Sequence, residues 1–126
     1  MKVLKTEISH KYLDEKGILR VKIIEGAHVD YKSLKQDHET DFILTGHSNV
    51  LSLVDANSFF TITSDAREYA KKEITDKSSL AMAVLTDQIG IRILINGFLK
   101  INKPKAPIRI FTDVIKALDG LLTVKK

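Results

Sequence analysis

A chain of 126 residues is long enough for one domain with a real core, and 44% hydrophobic with 29% charged side chains is a globular composition rather than a disordered one. Twenty Lys and Arg against sixteen Asp and Glu leave a net charge of +4, spread along the chain. A dedicated nucleic-acid binder gathers its cations on one stripe, so nucleic acid is not the expected partner. With no cysteine, disulfides, thiol nucleophiles and thiolate metal sites are excluded. The opening Met1-Lys2-Val3-Leu4-Lys5 is charged too early for a signal peptide. No apolar run reaches the ~20 residues that span a bilayer, so a cytoplasmic protein is expected.

In chain order, Val3–Ser9, continued by Tyr12 and Leu13, reads as a first strand. Asp14–Gly17 turns it into a second, Ile18–Ile24, where Leu19, Val21 and Ile23 alternate with Arg20 and Lys22. That period marks an antiparallel pair with one wet face. From an Asp30 N-cap to about Leu44, Tyr31, Leu34, His38 and Phe42 recur at helical spacing, and Gly46 is a fitting stop. Val50–Val54 and Leu80–Leu85 are nearly all apolar, as central strands covered on both faces would be. Between them Asp65–Ile74 reads as a helix, with Ala66, Tyr69, Ala70 and Ile74 on one side. Thr63, Ser64 or Asp65 caps it, and Asp65 with Glu68 has capping-box spacing.

Residues 87–101 are the most informative stretch. Their Ile89/Ile91/Ile93/Ile95 alternation mimics a strand, but the length and the polar ridge Gln88, Arg92, Asn96, Lys100, each four apart, favour a helix. Ile91, Leu94, Ile95, Phe98 and Ile101 then form the core-facing arc. Ile89, Ile93 and Leu99 fall in or beside the polar ridge. Burying a large apolar side chain is worth roughly 1.5–3 kcal/mol, so three stranded ones imply a partner, a pocket or a crowded core. Pro104 and Pro107 break the chain, Ile108–Phe111 makes a last strand, and Thr112-Asp113 opens a final helix through Ile115, Leu118 and Leu122. The order β-β-α-β-α-β-α-β-α predicts an α/β fold, one domain over 1–126, with a mixed sheet of about five strands and about four helices.

Three groups of residues carry a family resemblance. They are Leu53-Val54-Asp55-Ala56, Ile62-Thr63-Ser64-Asp65-Ala66-Arg67-Glu68-Tyr69, and Leu99-Lys100-Ile101-Asn102-Lys103-Pro104 leading to Pro107-Ile108-Arg109-Ile110-Phe111. In this order they resemble the STAS / SpoIIAA-like superfamily, and within it small uncharacterised bacterial STAS/SEC14-like proteins. Where such relatives often carry a tryptophan before the closing Leu, Gly120 precedes Leu121 here. The resemblance implies the fold of anti-sigma-factor antagonists, whose Asp-Ser-Ser-Gly word holds a phosphate-accepting serine. Thr63-Ser64-Asp65-Ala66 stands in its place. Direct alignment puts Asp65 at the acceptor position, and one residue of slippage puts Ser64 there. A phosphoserine at Ser64 would sit at a positive helix end; as cap residues, Thr63, Ser64 and Asp65 need no such role.

No catalytic constellation, metal site or cofactor site emerges. His10, His28, His38 and His47 are never three or four apart, and His38 reads as a partly buried structural histidine. The serines lack nucleophile-elbow glycines. Asp55, ending a central strand, is the best-placed carboxylate, though bonding its own loop would occupy it equally well. Of Phe59-Phe60, one ring points inward and the other outward. Lys103-Pro104-Lys105-Ala106-Pro107 presents cations to an anionic head group or acidic protein, or is a solvated turn.

Two readings follow. The first is a non-enzymatic STAS-like regulatory or protein-binding module, in its simplest form a homodimer. Arg92 and Lys100 would steer an acidic partner across a surface that includes Asn96 and Lys103, Ile89, Ile93 and Leu99 would supply apolar area, and Asp55, Ser64 and Asp65 would lie near. The second is a carrier or sensor of a small apolar or lipid-like ligand held between this helix and the sheet, which the SEC14-like resemblance suggests.

Overall fold

Asp14 and Gly17 make the first corner. The Asp14 carboxylate accepts the backbone N–H groups of Lys16 and Ile18, each at 2.9 Å, and Gly17 takes φ +80°, a conformation that side chains resist. Strands β2 (Ser9–Leu13) and β3 (Ile18–Ile23) leave this corner as antiparallel partners. β1 (Val3–Lys5) runs antiparallel to β2. The expected first strand is therefore two, divided where the Thr6 hydroxyl accepts the N–H groups of Ile8 and Ser9. The structure, a computed structural model, describes residues 2–46, 50–76, 80–101 and 107–123.

After β3 every neighbouring strand is parallel. β5 (Leu51–Asp55) pairs with β3, β7 (Ala81–Leu85) with β5, and β8 (Ile108–Phe111) with β7. The resulting sheet has the order β1-β2-β3-β5-β7-β8. Helices α1 (Tyr31–Glu39), α2 (Asp41–Thr45), α3 (Ser64–Asp76) and α4 (Ile89–Ile101) fill the connections, and α5 (Val114–Leu122) follows β8. Two three-residue strands, β4 (Ala27–Val29) and β6 (Phe60–Ile62), form a separate parallel ribbon that the sequence pattern does not reveal. The fold is thus mixed α/β, with more strands than the expected five.

The helix boundaries have local causes. Asp30 caps α1, accepting the Ser33 N–H at 2.8 Å while the Ser33 hydroxyl accepts the Asp30 N–H at 3.0 Å. The expected helix from Asp30 to Leu44 breaks at Thr40, whose hydroxyl donates to the Asp37 carbonyl. Gly46 closes α2 at φ +63°. Asp113 caps α5 through the N–H groups of Ile115 and Lys116.

Strand register divides the side chains between two unequal faces. Ile18, Leu51 and Ala81 share one row, Leu53 and Ala83 the next, and both rows face α5. That helix lies close, because Ala117 is fully buried and Gly120 admits the Phe111 ring. A Cβ on Gly120 would sit 2.8 Å from Phe111 Cζ, so the position that departs from the resembled family is filled by that ring. Leu53 and Ala83 are consequently 2% and 1% exposed. The opposite face, with Val21, Ser52, Val54 and Met82, lies under α1, α3 and α4, and those four residues are only half-buried. Both faces of the central strands β5 and β7 are covered, as expected, but one is covered loosely.

On that looser face Lys11 is 0% exposed. All three hydrogens of its ammonium have acceptors: Asp37 Oδ2 at 2.9 Å, the Asp37 carbonyl at 2.8 Å and Asp41 Oδ1 at 2.6 Å. The Ser9 and Thr6 hydroxyls donate to Asp37 Oδ1. Burial pushes the Asp37 carboxyl up; the Lys11 charge and the two hydroxyls outweigh it and hold the group below the usual carboxylate range. This cluster ties α1 and α2 to β2. Lys11→Met leaves Asp37 buried without its counter-charge and should cost about 3–5 kcal/mol in urea unfolding. Because the folded pKa is depressed, Asp37's contribution is complete above the ordinary carboxylate pKa of about 3.9 and is lost as pH falls through the folded value. Asp37→Asn should therefore be less stable than wild type at neutral pH and show a shallower acid limb.

Candidate functional site

The C-terminal ends of parallel strands are where open α/β sheets hold ligands, and here that edge is bonded to itself. The Ala56 N–H donates to the Leu85 carbonyl at 2.8 Å and the Thr86 N–H to the Phe111 carbonyl at 2.9 Å. The buried Thr86 hydroxyl donates to the Ala56 carbonyl, and Gln88 Nε2 reaches the carbonyls of Ala56 and Ser58, each at 2.8 Å. Asp55 Oδ1 accepts the Asn57 N–H at 3.1 Å, and Oδ2 lies 3.5 Å from Lys22 Nζ. The carboxylate is thus engaged in its own turn and an ion pair. Its row in the sheet faces α5, away from α4.

At the start of α3 the cap is Thr63. Its hydroxyl accepts the Ala66 N–H at 3.3 Å and donates to Asp65 Oδ1. Ser64 and Asp65 are exposed, and the Asp65–Glu68 box does not form the cap. Arg67, Ala70 and Lys71 of α3, rather than Ser64 or Asp65, share a cavity with α4.

Gln88 also sets how α4 is turned. With its amide bonded to the 56–58 loop, it leaves the expected polar ridge and lies inward, half-buried. The helix is rotated from the expected orientation by roughly half of one residue's 100° step. Phe98 is buried, Ile91, Ile95 and Leu99 are half-buried, and Leu94 sits at the margin. Two expectations change: Leu99 is partly sheltered rather than stranded, and Ile101 leaves the core arc with 84% exposure. Ile89 and Ile93 do stand outside, 71% and 66% exposed, beside exposed Arg92, Asn96 and Lys100. Lys103 lies outside the described residues.

Between the sheet and the helices are two adjoining spaces. One, of about 100 Å³, is lined by Met82, Val84, Leu94, Ile95, Phe98 and Ile108 among others. The other, of about 180 Å³, runs on past Val54, Leu34 and His38 to the Lys11 cluster. Both are bordered by Ile62, Ala70 and Met82. His38 is half-buried, 3.5 Å from Glu73 and against the Tyr69 ring. Burial, then the Glu73 charge and its hydrogen bond, push the Tyr69 hydroxyl up to about 12. Phe60 points into the larger space and Phe59 is exposed, as expected of the pair.

The model of a domain of unknown function, DUF7793, matches residues 12–125. This chain belongs to the DUF7793 family. The architecture is similar to that of an uncharacterised protein of the DUF3478 family from Shewanella loihica PV-4, a crystal structure described as having a SpoIIAA-like fold. The likeness has a TM-score of 0.64 at 15% identity, over 96% of this chain and 98% of that one. No curated protein matches. The DUF7793 chain accordingly has a SpoIIAA-like fold. Among its described residues no three His, Asp or Glu side chains converge as a metal site would require, and no helix is long and apolar enough to cross a membrane.

The capping geometry of this DUF7793 protein separates two roles that the Thr63-Ser64-Asp65 run leaves open. Thr63→Ala should lower stability by about 1 kcal/mol, as loss of a cap does. Ser64→Ala, at an exposed site without a cap bond, should stay within about 0.5 kcal/mol of wild type in the same thermal unfolding series.

Proposed function

We propose that this protein is a non-enzymatic, cytoplasmic binding module whose working element is the outer side of α4. The reading is carried by one ridge: Ile89, Ile93, Gly97 and Ile101 follow at four-residue spacing, and its three isoleucines are all at least 66% exposed. A helix apolar on so many sides is normally buried. The glycines support the same reading. Each costs about 1 kcal/mol of helix propensity relative to alanine, yet a Cβ at Gly90 or Gly97 would meet nothing within 4 Å. The chain's own packing does not need them; a neighbouring backbone approaching this side would.

The charges indicate the kind of neighbour. From Ile89 to Ile101 there is no carboxylate, and exposed Arg92 and Lys100 flank the ridge. A second copy packed through α4 would set cations against cations. An amphipathic helix of another protein, with carboxylates beside its apolar stripe, complements both features. A photocrosslinking amino acid at position 93 should give a heterologous adduct in cells, and Arg92→Glu with Lys100→Glu should abolish it. The same probe at exposed Lys72 serves as the control. Adducts only with a second copy, or none above that control, overturn the reading.

A second reading is favoured by a different observation, the half-buried Val54 and Met82 beneath α3 and α4. Central-strand residues are left partly open there by the two adjoining apolar spaces, which would suit a small apolar ligand. Native mass spectrometry of protein purified from cells should then show an added mass that disappears in Met82→Trp, which fills the space shared by both cavities. A clean apo mass overturns this reading.

A further inference from the structure

On the side of the sheet that faces α5, one row of opposed residues crosses all six strands: Lys5, His10, Lys22, Asp55, Leu85 and Phe111. The Leu85–Phe111 end lies by α5, whereas Lys5, His10 and Lys22 are exposed. Polar side chains opposed on neighbouring strands interact, and this row sets Lys5 and Lys22 on either side of His10. Among the described residues, the carboxylate within 4 Å of any of the three is Asp55, at 3.5 Å from Lys22. Arg20, one row away, is partly covered by the Tyr12 ring at 5.9 Å and is 3.5 Å from Asp14.

A groove of about 280 Å³ opens over these residues. Its lining toward the open strands carries the cations Arg20 and Lys22 beside the imidazole of His10, with the Asp55 carboxylate, and is apolar toward α5, with Leu53, Leu85 and Val114. We propose that this groove binds a small organic phosphate, an aromatic or short acyl body carrying one phosphate monoester. The body lies on the apolar end and the phosphate is held by His10 and Lys22, with Lys5 next in the row. A monoester carries about −1.5 to −2 charges near neutral pH, which suits several neighbouring cations better than a single carboxylate does. Asp55 stands at the boundary between the two ends and repels the phosphate toward β2 and β3, which fixes the ligand's direction. The site lies on the opposite face of the sheet from α4 and does not depend on the reading of that helix.

Two-dimensional amide NMR of the full chain tests the proposal, with phenyl phosphate as probe and inorganic phosphate and phenol as separate arms. Phenyl phosphate should perturb β2, β3 and the start of α5, and bind roughly tenfold or more tightly than either arm. The double variant His10→Gln/Lys22→Gln, changed only at exposed positions, should weaken it by a further factor of roughly ten. Lys5→Gln provides a second, milder variant. No binding, equal binding of inorganic phosphate (an adventitious ion only), equal binding of phenol, insensitivity to both variants, or perturbation confined to the α3–α4 side would each overturn the proposal.

Discussion

Six strands spaced about 4.8 Å apart make a sheet roughly 24 Å wide, while a single helix with its side chains is about 10–12 Å across. One helix therefore covers about half of such a face, and among the described residues α5 is the one helix on its side. It lies on β5, β7 and β8, where Leu51, Leu53, Ala81, Ala83 and Leu85 are buried. β1, β2 and the part of β3 beyond the buried Ile18 are left wet on that side, and there β3 presents Arg20 and Lys22 and turns Leu19, Val21 and Ile23 the other way. The cationic half-face thus follows from sheet width and helix count. Its unusual feature is that the wet residues are so unevenly charged.

The other face has enough helices but does not bring them down evenly. Ile8, Ala27, Val29 and Ala66 form a second core with Leu34, Phe60 and Ile62, built on the β4–β6 ribbon beside Ile23 at the end of β3. α1 and α3 pack on that ribbon, and the Lys11–Asp37–Asp41 cluster holds α1 and α2 at β2. Both anchors lie to one side of the sheet's middle. Val54 and Met82, between them and α4, receive incomplete cover, and the apolar spaces open there.

Periodicity made the long elements legible. The apolar runs at 51–55 and 81–85, the helix after Thr63 and the helix through 89–101 all announce themselves by period and length. β4 and β6 are three residues each, too short to show alternation, and their pairing joins positions more than thirty residues apart. The Lys11 cluster had a faint signal: Ser9 and Lys11 share a strand face, and Asp37 and Asp41 lie four apart on a helical pattern. Nothing local said that the two sets meet. The candidate site was legible as far as its composition. Ile89 and Ile93 stand out because the polar ridge surrounds them, but the orientation of α4 depends on Gln88, whose partners are carbonyls of the 56–58 loop. A wheel drawn on one helix contains no such restraint, and so it placed Ile101 inward and Leu99 outward.

That restraint also bears on whether the exposed ridge could be relieved within the chain. Turning α4 to bring Ile101 under would raise Leu99 into solvent, exchanging one aliphatic side chain for another at little gain in buried area. It would also withdraw the Gln88 amide from the Ala56 and Ser58 carbonyls, breaking two hydrogen bonds. Sliding the helix toward the sheet to close the apolar spaces would leave Ile89 and Ile93 where they are, since they point away from it. No rigid motion of α4 shelters both its inner and its outer apolar sides against one sheet. The surplus on the outside is therefore built into the helix.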